Sequence, residues 1–554
     1  MSLAAAWSLR PRRAGAWLLL AFCLALYLPG LVSLPPTDRD EARFAQASRQ
    51  MLESGDFLDI RFQDEARYKK PVGIYWLQAA SAALTRAADR IWPYRLPSLL
   101  GAIAAVFLTA HIGARLFDGP TGLVGGALLA ATALLAMEAR LATTDAVLLA
   151  TVCLAELGLA EVYLAARRGD AARRGPVLAF WAAVGAGVLV KGPIPLLVVG
   201  GTALALCLAD RDFAWLRGLR FRLGLPLAAA IVLPWLAAIA WISDGAFFRA
   251  SLGRDLLAKV VAGQESHGLP PGSYLAMFPL CFWPASLLAV LAAPWAWRNR
   301  RDDAVRFCLA WALPTWLVFE AVPTKLPHYV LPAYPALALL TARALPLLRD
   351  GSARWPGRLF NAGAPLWLLL SAGLAAAGPA LLWWLDGRLD AAAVAGAVAV
   401  VACAAGGLWL LRRRPAPALA ALAGAALLAY GTGFGLVLPQ AGPLWVSREV
   451  AAAVRAAAPA CPRPAVAAVG YAEPSLVFLV GTRTRLVDEA GAARLLAEDP
   501  CAVAVVSDVA EEGFRSALAR LNAPAESVAE VAGLNYSKGQ RVRLTVYRAP
   551  ARTA

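Results

Sequence analysis

Thirteen long apolar runs, separated by short loops that are rich in arginine on every second turn, constrain this chain more than any other feature. A bilayer core about 30 Å thick needs roughly 20 mostly apolar residues per spanning helix. The runs lie at 16–34, 96–117, 120–137, 143–165, 175–190, 193–209, 221–242, 273–297, 304–322, 328–347, 360–385, 390–411 and 415–438. In hydrocarbon the backbone must satisfy its own polar groups, so runs of this length read as helices. Lys191-Gly192-Pro193 divides the two shortest runs. The first run is long for a cleavable signal, and Leu34-Pro35-Pro36 follows it where small residues would be expected. Hydrophobic residues make up 60% of the chain and charged residues 16%, against about 25% charged in soluble domains. These features exclude a soluble globular, disordered or coiled-coil protein. The net charge of +16 is not a nucleic-acid signature, because the basic residues sit in short loops as topology signals.

The arginines orient the chain. With Arg10, Arg12 and Arg13 in the cytoplasm, the basic loops at Arg115, Arg167–Arg174, Arg211–Arg222, Arg298–Arg301, Arg349–Arg358 and Arg412–Arg414 share that side. The positive-inside rule then puts the N-terminus inside, and the odd count puts the C-terminus outside. Outer segments fall at 35–95, 243–272 and 323–328. The chain divides into a membrane domain, 1–446, and a hydrophilic outer domain, 447–554. In a bacterium this is an inner-membrane protein with a periplasmic C-terminal domain.

The C-terminal segment reads as a small α/β domain. Helices are expected over Arg448–Ala458 and Val509–Leu521, and strands over Ala465–Gly470, Leu476–Val480, Ala502–Val506 and Arg541–Arg548, the last after a turn at Asn535–Gly539. Six cysteines fall within apolar runs as small apolar residues. Cys461 and Cys501 lie in the outer domain, where an oxidising compartment permits a disulfide without requiring one.

The outer segments concentrate the ionisable groups. Asp38-Arg39-Asp40-Glu41-Ala42-Arg43-Phe44 opens a helix in which Asp38 and Glu41 have capping-box spacing. Phe44, Ala47, Met51 and Leu52 line one face, as in a helix lying on the membrane. Asp40 and Arg43 are helical neighbours, and the helix N-terminus favours an ionised Asp40. The bland alternative is a capped, solvated helix start. Arg67-Tyr68-Lys69-Lys70-Pro71 follows, on the side where topology does not favour positive charge. A headgroup-level phosphate explains such a cluster; an interfacial belt explains its aromatics equally well. Asp145, Lys191, His267 in the 243–272 loop, and Lys325, His328 and Tyr329 are further outer-side groups. Individually each has a structural explanation. Together they surround one vestibule.

These residues resemble the polytopic GT-C glycosyltransferases that use polyprenyl-phosphate sugars, in particular the aminoarabinose transferases of glycosyltransferase family 83 and their protein O-mannosyltransferase relatives. The resemblance is carried by Asp40-Glu41-Ala42-Arg43-Phe44, Arg67–Trp76, Arg95-Leu96-Pro97-Ser98, Thr144-Asp145 and Lys325–Pro332, in that order. It implies a GT-C fold of about thirteen spans with a small outer α/β domain. It also implies Asp40 and Asp145 as catalytic acids, and Lys70, Lys325, Tyr329, Lys69 and Arg43 as donor-phosphate contacts. Glu41, Tyr68 and His267 become positioning residues, with His267 also a metal ligand. No cofactor is required by these residues, and a divalent cation is the one the resemblance allows. Family members often carry Glu where Lys69 stands, which argues against a tightly held zinc ion.

The implied reaction is inverting transfer of a monosaccharide, 4-amino-4-deoxy-L-arabinose or another pentose or hexose. It moves from a polyprenyl-phosphate donor to lipid A, another glycan, a lipid or a protein. The rivals are a lipid-linked sugar transporter or flippase, a protein O-glycosyltransferase and an O-antigen ligase. Carriers place acids near the midplane; here Glu156 and Glu161 are the clearest acids within a run, and most of the other candidate groups lie outside.

Overall fold

Each of the thirteen runs coincides with helix in the computed structural model, which describes residues 11–251, 253, 269–348, 357–411, 413–459, 461 and 464–550. Among the described residues eight helices are long and apolar enough to cross a membrane, and three more, Arg13–Tyr27, Gly119–Ala131 and Ile194–Asp210, are apolar but shorter. The remaining two runs are broken. One is interrupted between Ser273–Cys281 and Ser286–Arg298. The other begins as 3-10 helix over Pro327–Ala333 before Tyr334–Ala344 continues it. Pro327, Pro332 and Pro335 deny backbone donors there, so a regular helix cannot start earlier. The chain is a multi-pass helical membrane protein.

The outer segment 35–95 is folded. Helix Asp40–Ser54 buries Phe44, Ala47 and Met51, as its periodicity predicts. Gly55 terminates it with φ +74, and its N–H bonds to the Met51 carbonyl at 2.9 Å. A two-stranded hairpin, β1 Arg61–Phe62 and β2 Glu65–Ala66, leads to helix Gly73–Thr85.

One buried ion pair ties this layer to the membrane domain. Arg95, 0% exposed, meets Glu41, 1% exposed, through two bonds: Nε to Oε1 at 2.7 Å and Nη2 to Oε2 at 3.0 Å. The other guanidinium protons go to the carbonyls of Leu31, Leu34 and Pro35 at 2.8–2.9 Å. All five donors are used. Glu41 also accepts from the Thr37 N–H at 2.8 Å, the Thr37 hydroxyl at 2.9 Å and the Ala142 N–H at 3.0 Å. Burial alone would raise the Glu41 carboxyl, but the Arg95 charge and these bonds hold it below its ordinary value.

The expected capping box is therefore replaced. Glu41 reaches back to Thr37, and the Asp38 side chain makes no cap bond to its helix, accepting instead from the Ser475 N–H at 3.2 Å. Glu41, expected as a positioning residue, is turned inward as a scaffold group.

The outer domain holds a sheet in the order β4-β3-β5-β7-β6. Strands β3 Val466–Val469, β4 Arg485–Leu486 and β5 Val503–Ser507 are parallel, while β7 Gln540–Arg548 runs antiparallel to β5 and to β6 Glu526–Asn535. Apolar side chains cover both faces. Leu476–Val480, expected as a strand, lies in helix Pro474–Val480: Pro474 starts it, and a short run buried on all sides carries no period to tell the two apart. Helix Glu489–Glu498 and strand β6 were not expected at all. Cys461 and Cys501 are joined, with Cα atoms 5.9 Å apart. Phe478 is fully buried among Ala45, Ala82, Tyr94 and Ala142, so the domain shares a core with the membrane-surface layer.

Replacing Arg95 by Met should leave the Glu41 carboxylate buried and unpaired, at a cost of about 3–5 kcal/mol. The measurement is thermal unfolding in detergent, where a midpoint equal to the wild type would refute the load assigned to this pair.

Candidate active site

Close backbone packing at two glycines helps assemble the site from five separate stretches. Helix Gly73–Thr85 meets helix Arg174–Lys191 at Gly73, where an added Cβ would lie 2.8 Å from the Leu189 carbonyl oxygen. That contact brings Lys70, just before one helix, towards Lys191, at the end of the other. Gly101 plays the same part between Trp92–Leu116 and Asp145–Arg167: an added Cβ would meet the Ala146 carbonyl at 2.8 Å. Asp145 begins its helix at this contact. His328 and Tyr329 arrive on the 3-10 turn.

Asp145 is the hub. Its Oδ1 takes a bond from Lys191 Nζ at 2.5 Å, and its Oδ2 one from the Thr144 hydroxyl at 3.1 Å, with His328 Nε2 at 3.9 Å. The other side of the imidazole faces Glu138, with Nδ1 3.6 Å from Oε1. Glu138 also accepts from the Thr143 hydroxyl at 2.9 Å. Burial, and then the Asp145 charge, push Glu138 above the usual carboxylate range. Lys191 Nζ lies 5.4 Å from the Tyr329 ring centre, and the His328 and Tyr329 rings are 5.1 Å apart. Asp40 acts electrostatically on both Glu138 and His328, and Lys70 acts on His328. Glu138, Asp145, Lys191, His328 and Tyr329 thus form one cluster, with Asp40 and Lys70 within electrostatic range of it. Asp40 is exposed at its edge and Asp145 is buried beneath.

The other expected residues divide. Arg43 is half-buried and acts on Asp38. Lys69 is exposed beside Lys70. The Tyr68 hydroxyl donates to Asp59 Oδ1 at 2.8 Å and its ring meets Phe247 edge-on at 5.8 Å, so it braces the loop. Lys325 requires a correction. It is 3% exposed, and its ammonium donates to the Glu320 and Val322 carbonyls at 2.7 Å, closing the end of helix Asp303–Ala321. Orphan carbonyls at a helix C-terminus attract a cation there, and this occupies the charge expected to meet the donor phosphate. His267 lies outside the described residues. Among the described residues no three His, Cys, Asp or Glu gather as a metal site, and the Lys69 ammonium cannot ligate a cation.

Glu138 was missed by sequence reasoning, because it closes an apolar run and looks like a helix end. Its signal was the spacing to Thr143-Thr144-Asp145, which folds back beside it. Lys191 was counted among the outer-side groups of the vestibule, as an interruption between two runs, without a catalytic or binding role.

The outer domain reaches this region. The Asp38 N–H donates to the Tyr536 hydroxyl at 2.7 Å, and Arg39 donates to the Ser537 carbonyl. Gln46 and Arg49 donate to the Thr482 hydroxyl and the Phe478 carbonyl at 2.7 and 2.9 Å.

Comparison with known proteins follows the same outline. Residues 69–238 match the dolichyl-phosphate-mannose-protein mannosyltransferase family. An undecaprenyl phosphate-alpha-4-amino-4-deoxy-L-arabinose arabinosyl transferase of Pseudomonas fluorescens is 29% identical over 332 residues, covering 59% of this chain and 57% of its own length. The enzyme of that name from Pseudomonas aeruginosa is 30% identical over 339 residues, 60% of each chain. The matches therefore span less than two thirds of those relatives. The crystal structure of ArnT from Cupriavidus metallidurans bound to undecaprenyl phosphate superposes with a TM-score of 0.77 at 20% identity, over 96% of this chain and 97% of that one. The archaeal oligosaccharyltransferase AglB from Archaeoglobus fulgidus gives 0.55 at 12% identity, over 95% and 70%. The chain has the fold of that ArnT structure and is similar in sequence to the aminoarabinose transferases.

The Asp38 carboxyl gives the site a pH dependence. Burial against the outer domain raises it from 3.8 to about 6. A raised folded value means that its contribution to stability is complete below the unfolded value and is lost as pH rises through about 6. Between these limits the wild-type unfolding midpoint should fall with rising pH more steeply than that of Asp38→Asn. Parallel curves would contradict the assignment.

Proposed function

We propose that this chain is an inverting glycosyltransferase that moves a monosaccharide from a polyprenyl-phosphate donor to a cell-envelope acceptor. The observation that carries this reading is the convergence of Asp40, Asp145, Lys70, Lys191 and Tyr329 on one cluster at the end of the membrane helices. The names of its relatives support an undecaprenyl-phosphate donor and 4-amino-4-deoxy-L-arabinose as the sugar; the acceptor in this reading is lipid A or another envelope component. The arginine pattern supports a bacterial inner-membrane setting, N-terminus in the cytoplasm and domain 447–554 in the periplasm.

The chemistry follows from the charges. An acceptor oxygen attacks the anomeric carbon as the bond from that carbon to the donor phosphate oxygen breaks, and the electron pair leaves with the phosphate. Lys70 and the Tyr329 hydroxyl stabilise the developing charge, with Lys69 and Arg43 adding positive potential at the rim. This accelerates transfer to the extent that contacts tighten in the transition state. Asp145 holds Lys191 in place beneath Tyr329. Asp40 faces the sugar from the open edge. A hydroxyl acceptor gives its proton to Asp40; a phosphate acceptor has none to give, and Asp40 then orients the acceptor and balances oxocarbenium-like charge. Lys325 contributes by fixing the turn that carries His328 and Tyr329. No step requires a metal.

The carrier reading gains little support, because Glu156 is buried between helices and accepts from the Thr202 hydroxyl at 2.7 Å.

Asp40→Asn should fold and bind undecaprenyl phosphate as the wild type does, while turnover falls by about 10²–10⁴-fold, the range for loss of a positioned acid–base group. Lys70→Ala should lower turnover by about 10²–10³-fold. Both are read by mass spectrometry of envelope lipids and by assay with defined acceptors. Full turnover by Asp40→Asn, or sugar movement without a new glycosidic bond, would overturn the proposal.

A further inference from the structure

The backbone immediately before Asp40 has a conformation its residue type disfavours. Arg39 has φ 65 and ψ −108. A Cβ-bearing residue in this region costs of order 1–3 kcal/mol and persists only where its surroundings impose it. The helix does not impose it, since no side chain caps this N-terminus. The surroundings that do so come from the tip of the β6–β7 hairpin. The Asp38 N–H donates to Tyr536 Oη at 2.7 Å, across 498 residues of sequence. The Arg39 guanidinium donates to the Ser537 carbonyl. On the far side of the same bend, Asp38 Oδ1 takes the Ser475 N–H at 3.2 Å. The tip is itself braced: Asn535 Nδ2 donates to Glu473 Oε1 at 2.8 Å, the Ser537 hydroxyl donates to Asn535 Oδ1 at 2.8 Å, and the Tyr536 ring lies 6.2 Å from that of Trp445.

We propose that Tyr536 is a positioning residue for Asp40. With Ser537 it clamps the Asp38–Arg39 bend and so sets the direction in which the Asp40 carboxylate leaves the first turn of its helix. The outer domain thereby acts on the chemistry without touching substrate. This inference rests on the reading of Asp40 as the group that faces the sugar. A displacement of about 1 Å in a reacting group can cost 10²-fold in rate. Loss of the clamp therefore acts on turnover while leaving donor binding alone.

The test uses the full-length protein in detergent or nanodiscs with an undecaprenyl-phosphate sugar donor. Tyr536→Phe removes one oxygen and keeps the ring. It should lower kcat by roughly 10- to 100-fold with an unchanged KM for donor and unchanged affinity for undecaprenyl phosphate. Hydrogen exchange should quicken at the Asp38 amide. Wild-type kcat in Tyr536→Phe, or a rise in donor KM that accounts for the whole loss, would overturn the clamp. Should Tyr536→Phe fold poorly, Arg39→Met removes only the bond to Ser537 and is held to the same kcat and KM criteria. The two readings separate cleanly. An inert Asp40→Asn beside a fully active Tyr536→Phe removes the clamp alone, whereas an active Asp40→Asn removes the reading beneath it.

Discussion

The buried pairing of Arg95 with Glu41 is the constraint on which the outer face depends. A guanidinium at 0% exposure at the start of a membrane helix is tolerable only with every donor used, and here five bonds use them all. Three of those bonds go to carbonyls at Leu31, Leu34 and Pro35, where the first helix has ended and its backbone needs partners. The other two fix Glu41, one residue after Asp40. The same carboxylate takes the Ala142 N–H, three residues before Asp145. A single ion pair thus sets the spacing between the two candidate acids. The pair is not a strong net source of stability, because desolvation offsets much of its attraction. Its effect is on geometry, since only one arrangement leaves neither charge unpaired.

Within the cluster, opposite charges are interleaved. Lys191 neutralises Asp145, and Glu138, beside that carboxylate, is driven towards its neutral form. Asp40 and Lys70 bring one charge of each sign to the accessible edge, and Gly73 joins the Lys70 segment to the cluster by close backbone contact. A donor with an anionic phosphate and a sugar that gains positive charge presents the complementary pattern. The buried pairs below need not reorganise when that charge moves, and such preorganisation makes electrostatic stabilisation effective.

The helices were legible in the sequence because hydrocarbon leaves one solution for an apolar run, and the arginines add its direction. What escaped was set by contacts distant in sequence. Asp38 and Glu41 have capping-box spacing, yet Arg95, 54 positions from Glu41, claims the carboxylate. Lys325 looked free for a phosphate, but the orphan carbonyls of the helix before it were nearer. Leu476–Val480 has strand composition and helical geometry, because Pro474 and burial on all sides outweigh β propensity in so short a run. Asp40, Lys70, Asp145 and Tyr329 were singled out from residue type on the outer side and from motif order. Glu138 was not, since an acid at the end of an apolar helix has no pattern of its own until the fold brings His328 beside it.

The outer domain explains why a membrane-surface helix would need a partner at all. Helix Asp40–Ser54 lies between the membrane domain on one side and the outer domain on the other. Surface helices at such a boundary slide and roll readily, since apolar burial is not directional. Hydrogen bonds are directional, and this helix receives them from two sources: Glu41 is held from beneath, while Asp38, Arg39, Gln46 and Arg49 are held by the outer domain from above. Phe478, buried among Ala45, Ala82, Tyr94 and Ala142, supplies the apolar part of the same junction. With both sides fixed, the helix has neither a translation nor a rotation left that preserves its bonds. A carboxylate that must meet a lipid-borne sugar at the membrane surface gains from that rigidity, because the substrate already brings the freedom of a long flexible chain.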